Sequence, residues 1–249
     1  MIREDELIIG KNAVNEAIKA KRELDTVYVD RLNKSDIVQR LISRAKKNGA
    51  IIKTVDSKKL DFMCAHNNHQ GIVAKASSFE YSSVDEILNF PKDKNNFVVI
   101  CDGIEDPHNL GAIIRSAECM GADGVIIPER RSASVNFTVS KSSAGAVEYI
   151  KIARVKNLLN IVAELKDKGL WIYGADMKGD ELSKTDLRGN VAIVIGSEGK
   201  GISRTMKEAC DFLISIPLYG HIDSLNASVA AGIIFNEVAK QRKEGNYER

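Results

Sequence analysis

Short, fully apolar runs begin at Phe97 and recur through the rest of the chain, at 97–101 (FVVIC), 124–127 (GVII), 170–175 (LWIYGA), 191–196 (VAIVIG) and 212–217 (FLISIP). Runs of this length without polar alternation predict strands buried on both faces. Between them, 112–120, 155–168, 203–209 and 225–242 place apolar residues at helical spacing. Strands alternating with helices predict a parallel α/β sheet covered on both sides. Ligands of such sheets bind beyond the carboxyl ends of the strands, so the residues that follow each strand are the ones to inspect.

The first 76 residues read differently, as a small α/β unit of shorter elements. Asn12 is placed to cap a helix through Lys19, 26–29 is a short β-rich run, Ser35 precedes the helix 36–47, and Gly49 stops that helix before a strand at 51–55. A helix at 57–65 leads through the polar run HNNHQG to an apolar segment at 72–76. Residues 77–96 mix Ser, Asp, Lys and a Pro with one short amphipathic stretch and read as a linker that partly packs on a neighbour. The expected organisation is therefore 1–76, a linker at 77–96, and 97–249.

Composition narrows the class without naming a partner. With 249 residues, 44% hydrophobic and 28% charged, the chain can bury a substantial core, which excludes collagen-like and disordered classes. The net charge of +2 argues weakly against a nucleic-acid binder. Its distribution reverses that inference. Residues 1–80 hold 15 Lys/Arg against 11 Asp/Glu, a net +4, whereas the remainder holds 21 against 23, a net −2. Arg40, Arg44 and Lys47 recur at helical spacing on 36–47, as a phosphate-facing stripe or a solvated outer face.

Cys64, Cys101, Cys119 and Cys210 form no C-x-x-C pair, and three lie in or beside apolar runs. Reduced, buried thiols in a cytoplasmic protein are expected. The amino end is acidic and no apolar run approaches the ~18 residues of a membrane span, so neither export nor insertion is indicated. His66 and His69 lack further Cys or carboxylate partners at ligand spacing and read as loop hydrogen-bonders, with no metal site expected.

Three clusters follow the strands. In 101–127, Asp106-Pro107 makes a turn, Asn109 is well placed to cap, and Arg115 stands alone among Ile113, Ile114, Ala117 and Cys119. A lone Arg there would be costly to bury without an anion, and its distance from the strand end suits a phosphate. In 193–203, glycines at 196, 199 and 201 let a ligand approach the main chain, with Ser197 and Glu198 adding polar atoms. The phosphate loop G-x-x-x-x-G-K-[ST] is excluded because no Gly stands five residues before Gly199, and G-x-G-x-x-G because Glu198 occupies the second Gly position. In 214–238, Pro217 ends a strand, Gly220 opens a loop, and Ser224 and Asn226 precede a helix, where such residues usually cap.

Taken together and in this order, N-x-G-x-x-x-R (109–115), G-S-E-G-K-G (196–201) and S-L-N-A-S (224–228) resemble motifs one, two and three of the SpoU (TrmH) family of RNA 2′-O-ribose methyltransferases, part of the SPOUT class. The leading unit, with IIGKNAVNEAI (8–18) and HQGIVAKAS (69–77), resembles that family's small L30e-like substrate-binding domain.

The resemblance implies an α/β catalytic domain with a deep trefoil knot at its carboxyl end, near 191–201 and 212–242. It implies S-adenosyl-L-methionine as cofactor, bound by groups around Gly196, Ile216 and Leu225 with Ala175, Ile195 and Gly199 nearby, and no metal. Arg115 would take the proton-accepting or phosphate-holding role, while Asn109, Glu198, Ser224 and Asn226 order the site. A guanidinium is a poor base at neutral pH, which favours the phosphate clamp. The implied partners are RNA, foremost a guanosine in the peptidyl-transferase P loop of 23S rRNA, and a second copy of the chain in a homodimer. The same chemistry on tRNA or another rRNA site, and a non-catalytic RNA-binding or ribosome-assembly role, stay open.

Overall fold

The computed structural model describes residues 7–22, 24–65, 68–76, 79–89 and 95–244. His66 lies outside them. The chain divides into two compact units, Met1–Glu80 with Val135–Tyr149, and Tyr81–Ser134 with Ile150–Arg249.

The first unit contains β1 (Leu7–Ile9), α1 (Lys11–Lys19), β2 (Leu24–Asp30), α2 (Asp36–Lys47), β3 (Ile51–Val55), α3 (Ser57–Met63) and β4 (Ile72–Ala76). Its sheet runs β1-β4-β2-β3, with β4 antiparallel to both neighbours and β3 parallel to β2. Side chains alternate across a strand, so Ile8 joins one core with Val14, Val38 and Leu41, while Leu7 and Ile9 join another with Leu60 and Cys64. Asn12 sits inside the first turn of α1, behind Gly10, rather than capping it. Ser35 does stand at the start of α2, yet its hydroxyl makes no capping bond. Arg40, Arg44 and Lys47 all lie on the exposed face of α2.

A segment from the later half of the sequence completes this unit. Val135–Tyr149 includes the helix α6 (Phe137–Ser142), and Phe137 packs into the Leu7–Ile9 core. Tyr149 Oη donates to Glu16 at 2.5 Å, and Arg22 pairs with the largely buried Glu148 at 2.7 Å.

The second unit is a wholly parallel six-stranded sheet, β5 (Phe97–Asp102), β6 (Gly124–Pro128), β7 (Lys151–Val155), β8 (Trp171–Glu181), β9 (Val191–Gly196) and β10 (Phe212–Ser215), in the order β10-β8-β9-β5-β6-β7. Its helices are α4 (Val84–Leu88), α5 (Pro107–Cys119), α7 (Leu158–Asp167), α8 (Arg204–Ala209) and α9 (Ala227–Glu244). From β5 the chain winds outward through β6 to β7, then crosses to β8 and returns to β9. The order therefore reverses between β5 and β9, the topological switch point where such sheets bind ligands. Asp102 and Gly196 end those two strands in register.

From Tyr81 on, the described residues of the expected linker belong to this unit. Ser83 and Glu86 form a reciprocal capping box that starts α4, and Ser82 N–H donates to Ile152 O at 2.8 Å. Ile87 packs on Gly124 so closely that a Cβ there would meet it at 2.6 Å. At the amino-terminal ends of β5 and β9, Arg242 of α9 donates to the carbonyls of Asn95, Asn96 and Gly189 and stacks over Phe97. Among the described residues no helix is long and apolar enough to cross a membrane.

Candidate functional site

At the carboxyl ends of β5 and β9 the three sequence clusters converge. The helix α5 begins five residues earlier than its apolar pattern indicates, because Asp106 accepts from His108 N–H at 2.9 Å and Pro107 occupies the first turn. Asn109 is thus not a cap. It lies inside the helix, and its side chain is free to face the loop after β9. Its Nδ2 donates to Glu198 Oε2 at 3.2 Å, while its Oδ1 accepts from Asn226 Nδ2 at 2.9 Å.

Asn226 has two roles at once. Its Oδ1 accepts from Ser228 N–H at 2.9 Å and Val229 N–H at 3.3 Å, satisfying donors that the start of α9 would leave unpaired. Those bonds fix which end of the amide is oxygen, so Nδ2 must point at Asn109 and, at 3.4 Å, at Glu198 Oε2. The capping bond orients the amide for the site.

The loop between β9 and α8 closes on itself, with reciprocal main-chain bonds of 3.1 and 2.9 Å between Ser197 and Gly201. At Gly196 a Cβ would stand 2.1 Å from the Gly201 carbonyl carbon, so only glycine permits this approach. Asp102 accepts from Ser203 N–H at 2.8 Å and ties the loop's far end to β5.

Two clefts meet along this loop. The smaller, about 210 Å³, is bordered by Ala175, Ile195, Gly196, Gly199, Ile216 and Leu225, the full set of expected cofactor contacts. Ser224 and Glu198 line it too, and so do Asp176 and Lys207, an ion pair that sequence reasoning missed. Burial raises the Asp176 carboxyl, but Lys207 and the Lys178 N–H outweigh it and hold the group below the ordinary value. The larger cleft, about 610 Å³, reaches from Asn109 and Glu198 toward the ends of β6 and β7.

Arg115 does not join this network. It lies exposed on α5, borders neither cleft, and has no ion pair among the described residues, so it incurs none of the burial cost expected from its apolar neighbours.

The thiols divide unevenly. Cys64 and Cys101 are buried, and desolvation pushes them up to about 11 and about 12; Cys210 is half-buried and raised to about 11, while Cys119 is exposed. His69 Nδ1 accepts from Gly71 N–H at 2.9 Å, which leaves Nε2 to donate to Asp61 at 3.1 Å, a loop hydrogen-bonding role. Among the described residues no cluster of three or more His, Cys, Asp or Glu is placed to hold a metal.

Known proteins share both units. Residues 96–236 match the SpoU rRNA methylase family, and residues 7–82 match the RNA 2′-O ribose methyltransferase substrate-binding family. The chain is 44% identical to a protein of Bacillus subtilis assigned to the TrmH family of tRNA/rRNA methyltransferases, over 97% of this chain and 98% of the relative. The SpoU methyltransferase AviRb of Streptomyces viridochromogenes, solved with its cofactor AdoMet, superposes with a TM-score of 0.80 at 26% identity, over 96% of this chain and 91% of that one. A TrmH/SpoU tRNA-modifying enzyme of Aquifex aeolicus superposes with a TM-score of 0.55 at 30% identity, over 63% of this chain and 80% of that one. By its two matched domains and this near full-length likeness, the chain belongs to the SpoU rRNA methylase family.

Proposed function

We propose that the chain is an S-adenosyl-L-methionine-dependent RNA 2′-O-ribose methyltransferase acting on 23S rRNA, on a guanosine of the peptidyl-transferase P loop. The observation that carries this reading is the Asn109–Glu198–Asn226 network set between two clefts, one small and lined largely by main chain, the other open with cations at the far end from the network. The small cleft suits the cofactor. Glycine main chain at 196, 199 and 201, with the apolar walls of Ile195, Ile216 and Leu225, offers an adenine backbone donors, backbone acceptors and little side-chain charge. The Asp176–Lys207 pair offers opposite charges to an amino-acid moiety.

When bound, the cofactor supplies an activated methyl group to the ribose hydroxyl. The protein's share is alignment and proton removal. Glu198, held by two amide donors through one oxygen, is positioned to order the ribose, and Ser224 stands exposed at the mouth of the same cleft. Arg115 holds the phosphate next to the target.

We further propose that two copies pair through the second unit and that Arg115 serves the partner's site. Supporting this are the exposed apolar side chains Tyr219, Ile222, Val229 and Ile233, close in sequence to the third motif, and the packing of α9 on α5 that carries Arg115. The knot expected near 191–201 and 212–242 belongs to the same proposal. The first unit, with its excess of positive charge, docks folded RNA by shape and phosphates.

Incubating the protein and labelled S-adenosylmethionine with total RNA from a strain that lacks it, then mapping the methylated ribose, tests the reading. A single labelled guanosine in 23S rRNA is expected. Label confined to tRNA would reject the rRNA target, and no label together with no cofactor binding would reject the enzyme.

A further inference from the structure

The larger cleft holds charge that methyl transfer does not use. Arg130, Arg131 and Lys156 line it and not the smaller cleft, all are exposed, and none has a carboxylate partner among the described residues; Lys200 borders both clefts. By contrast, Lys166, Lys168, Lys184, Arg188, Arg204, Lys207 and Lys240 of the same unit are ion-paired. The Arg130–Arg131 turn is also built rather than loose. Ala133 N–H donates to Ile104 O at 2.8 Å, and Arg131 is held at φ +56°, a conformation that non-glycine residues seldom adopt.

The cleft is polarised along its length. Arg130, Arg131 and Lys156 lie past the ends of β6 and β7, whereas Asp102, Glu105, Asp106 and Glu198 lie at the β5–β9 end. Three of those four acids are engaged by the protein itself, Asp102 by Ser203 N–H, Asp106 by His108 N–H, and Glu198 by the two amides. Leu159, three residues beyond Lys156, adds an exposed apolar surface to the lining. Anion sites at one end, hydroxyl acceptors at the other and an apolar surface in the lining match one ligand chemistry, a single RNA strand with its phosphates, 2′-hydroxyls and base faces.

We propose that this cleft seats the single-stranded RNA that flanks the methylated nucleotide, its phosphates on Arg130, Arg131 and Lys156 and its riboses toward Glu105 and Glu198. The inference rests on the methyltransferase reading for its direction, since Glu198, which borders both clefts, and Asn109 bonded to it mark the end where the target enters.

The test measures binding of a fluorescein-labelled oligouridylate across a salt series, with the charge-reversed variant R130E/R131E/K156E. Three lost phosphate contacts should weaken binding at least tenfold and reduce the slope of log K against log salt by roughly 2. With total rRNA the KM should rise about tenfold while kcat stays within about twofold, because the reacting groups are untouched. Unchanged calorimetric affinity for S-adenosylmethionine shows that the variant is folded. Lys184→Glu, outside the cleft, should stay within about twofold of wild type. An unchanged slope and KM in the triple variant, or an equal loss in Lys184→Glu, overturns the proposal, as does equal affinity for the matching oligodeoxyuridylate. Wild-type protein that binds the oligouridylate through these residues but binds no S-adenosylmethionine sinks the methyltransferase reading and leaves the cleft standing.

Discussion

The two clefts that meet along the loop 197–201 share a sheet end and a carboxylate, yet they handle charge in opposite ways. In the small cleft the ion pair Asp176–Lys207 stands on a wall made largely of main chain and aliphatic side chains, with Glu198 and Lys200 on the loop it shares with the large cleft. In the large cleft Arg130, Arg131 and Lys156 face solvent with no carboxylate partner among the described residues. A paired, main-chain-lined pocket selects by shape and backbone hydrogen bonds and is insensitive to salt. An array of unpaired cations attracts a polyanion, and its affinity falls steeply with salt. The same fold thus separates recognition of a small ligand from capture of a large one across the single loop between β9 and α8.

The sharpest break of this contrast is Gly196→Ala. Its Cβ would collide with main chain at 2.1 Å, which no rotamer can relieve, so β9 and the loop must part. Calorimetry should show cofactor affinity reduced beyond about 1,000-fold, a loss of about 4 kcal/mol, with oligouridylate binding within about threefold of wild type. Loss of both together would mean that the clefts are one site.

Next in size is Arg115→Lys, which keeps the charge and removes the planar fork. Single-turnover methylation should slow about 100-fold with cofactor affinity unchanged, since Arg115 borders neither cleft. If Arg115 serves the partner's site, mixing inactive Arg115→Ala and Gly196→Ala proteins and letting subunits exchange should restore about a quarter of wild-type activity, because half the dimers then hold one intact site. No recovery after confirmed exchange would place Arg115 in its own subunit's site.

Asn226→Ser separates the cap from the site. Serine is as good an N-cap as asparagine, so thermal stability should hold within about 0.5 kcal/mol, but the Nδ2 donor to Asn109 and Glu198 is lost. Turnover should fall about 30-fold with both ligands still bound. Full activity in this variant would reduce Asn226 to a cap, the reading that helix-start statistics favour.

How much of this was visible in the sequence depends on where each signal came from. The strands β5, β6 and β9 lie buried on both faces and read directly as apolar runs. The strand β7 did not, because KIARV alternates Lys151 and Arg154 with buried Ile152 and Ala153 at the sheet edge. The polar half of β8, through Asp180 and Glu181, pairs with β10 across a register shift and carries no hydrophobic period to detect. At α5 the signal was present and misread: Asp106-Pro107 is a cap followed by a first-turn proline, not a turn before the helix. The proposed catalytic set could be named only through the family resemblance, since Asn109 meets Glu198 and Asn226 across 89 and 117 residues. Arg130, Arg131 and Lys156 escaped notice for the same reason, being joined by strand order rather than by spacing. An amino-terminal excess of +4 pointed to RNA, while the cationic end of the cleft lies in the unit whose summed charge hides it.

The smallest effect asks whether the ion pair in the small cleft matters for the ligand or only for the fold. Asp176→Asn keeps the volume and leaves Lys207 without its carboxylate, which should weaken cofactor binding about tenfold, or about 1.4 kcal/mol. Because the Asp176 pKa is depressed in the folded protein, the contribution of the pair is fully present above the ordinary carboxyl value of 3.8 and is lost only as pH falls through the lower, folded value. Wild-type affinity should therefore stay flat from this group between about pH 5 and 8, and the Asn variant should run parallel to it, lower by a constant factor. A difference that instead changed between pH 5 and 8 would show that a group other than this carboxyl governs the pocket's response to pH, and that the pair does not set its charge.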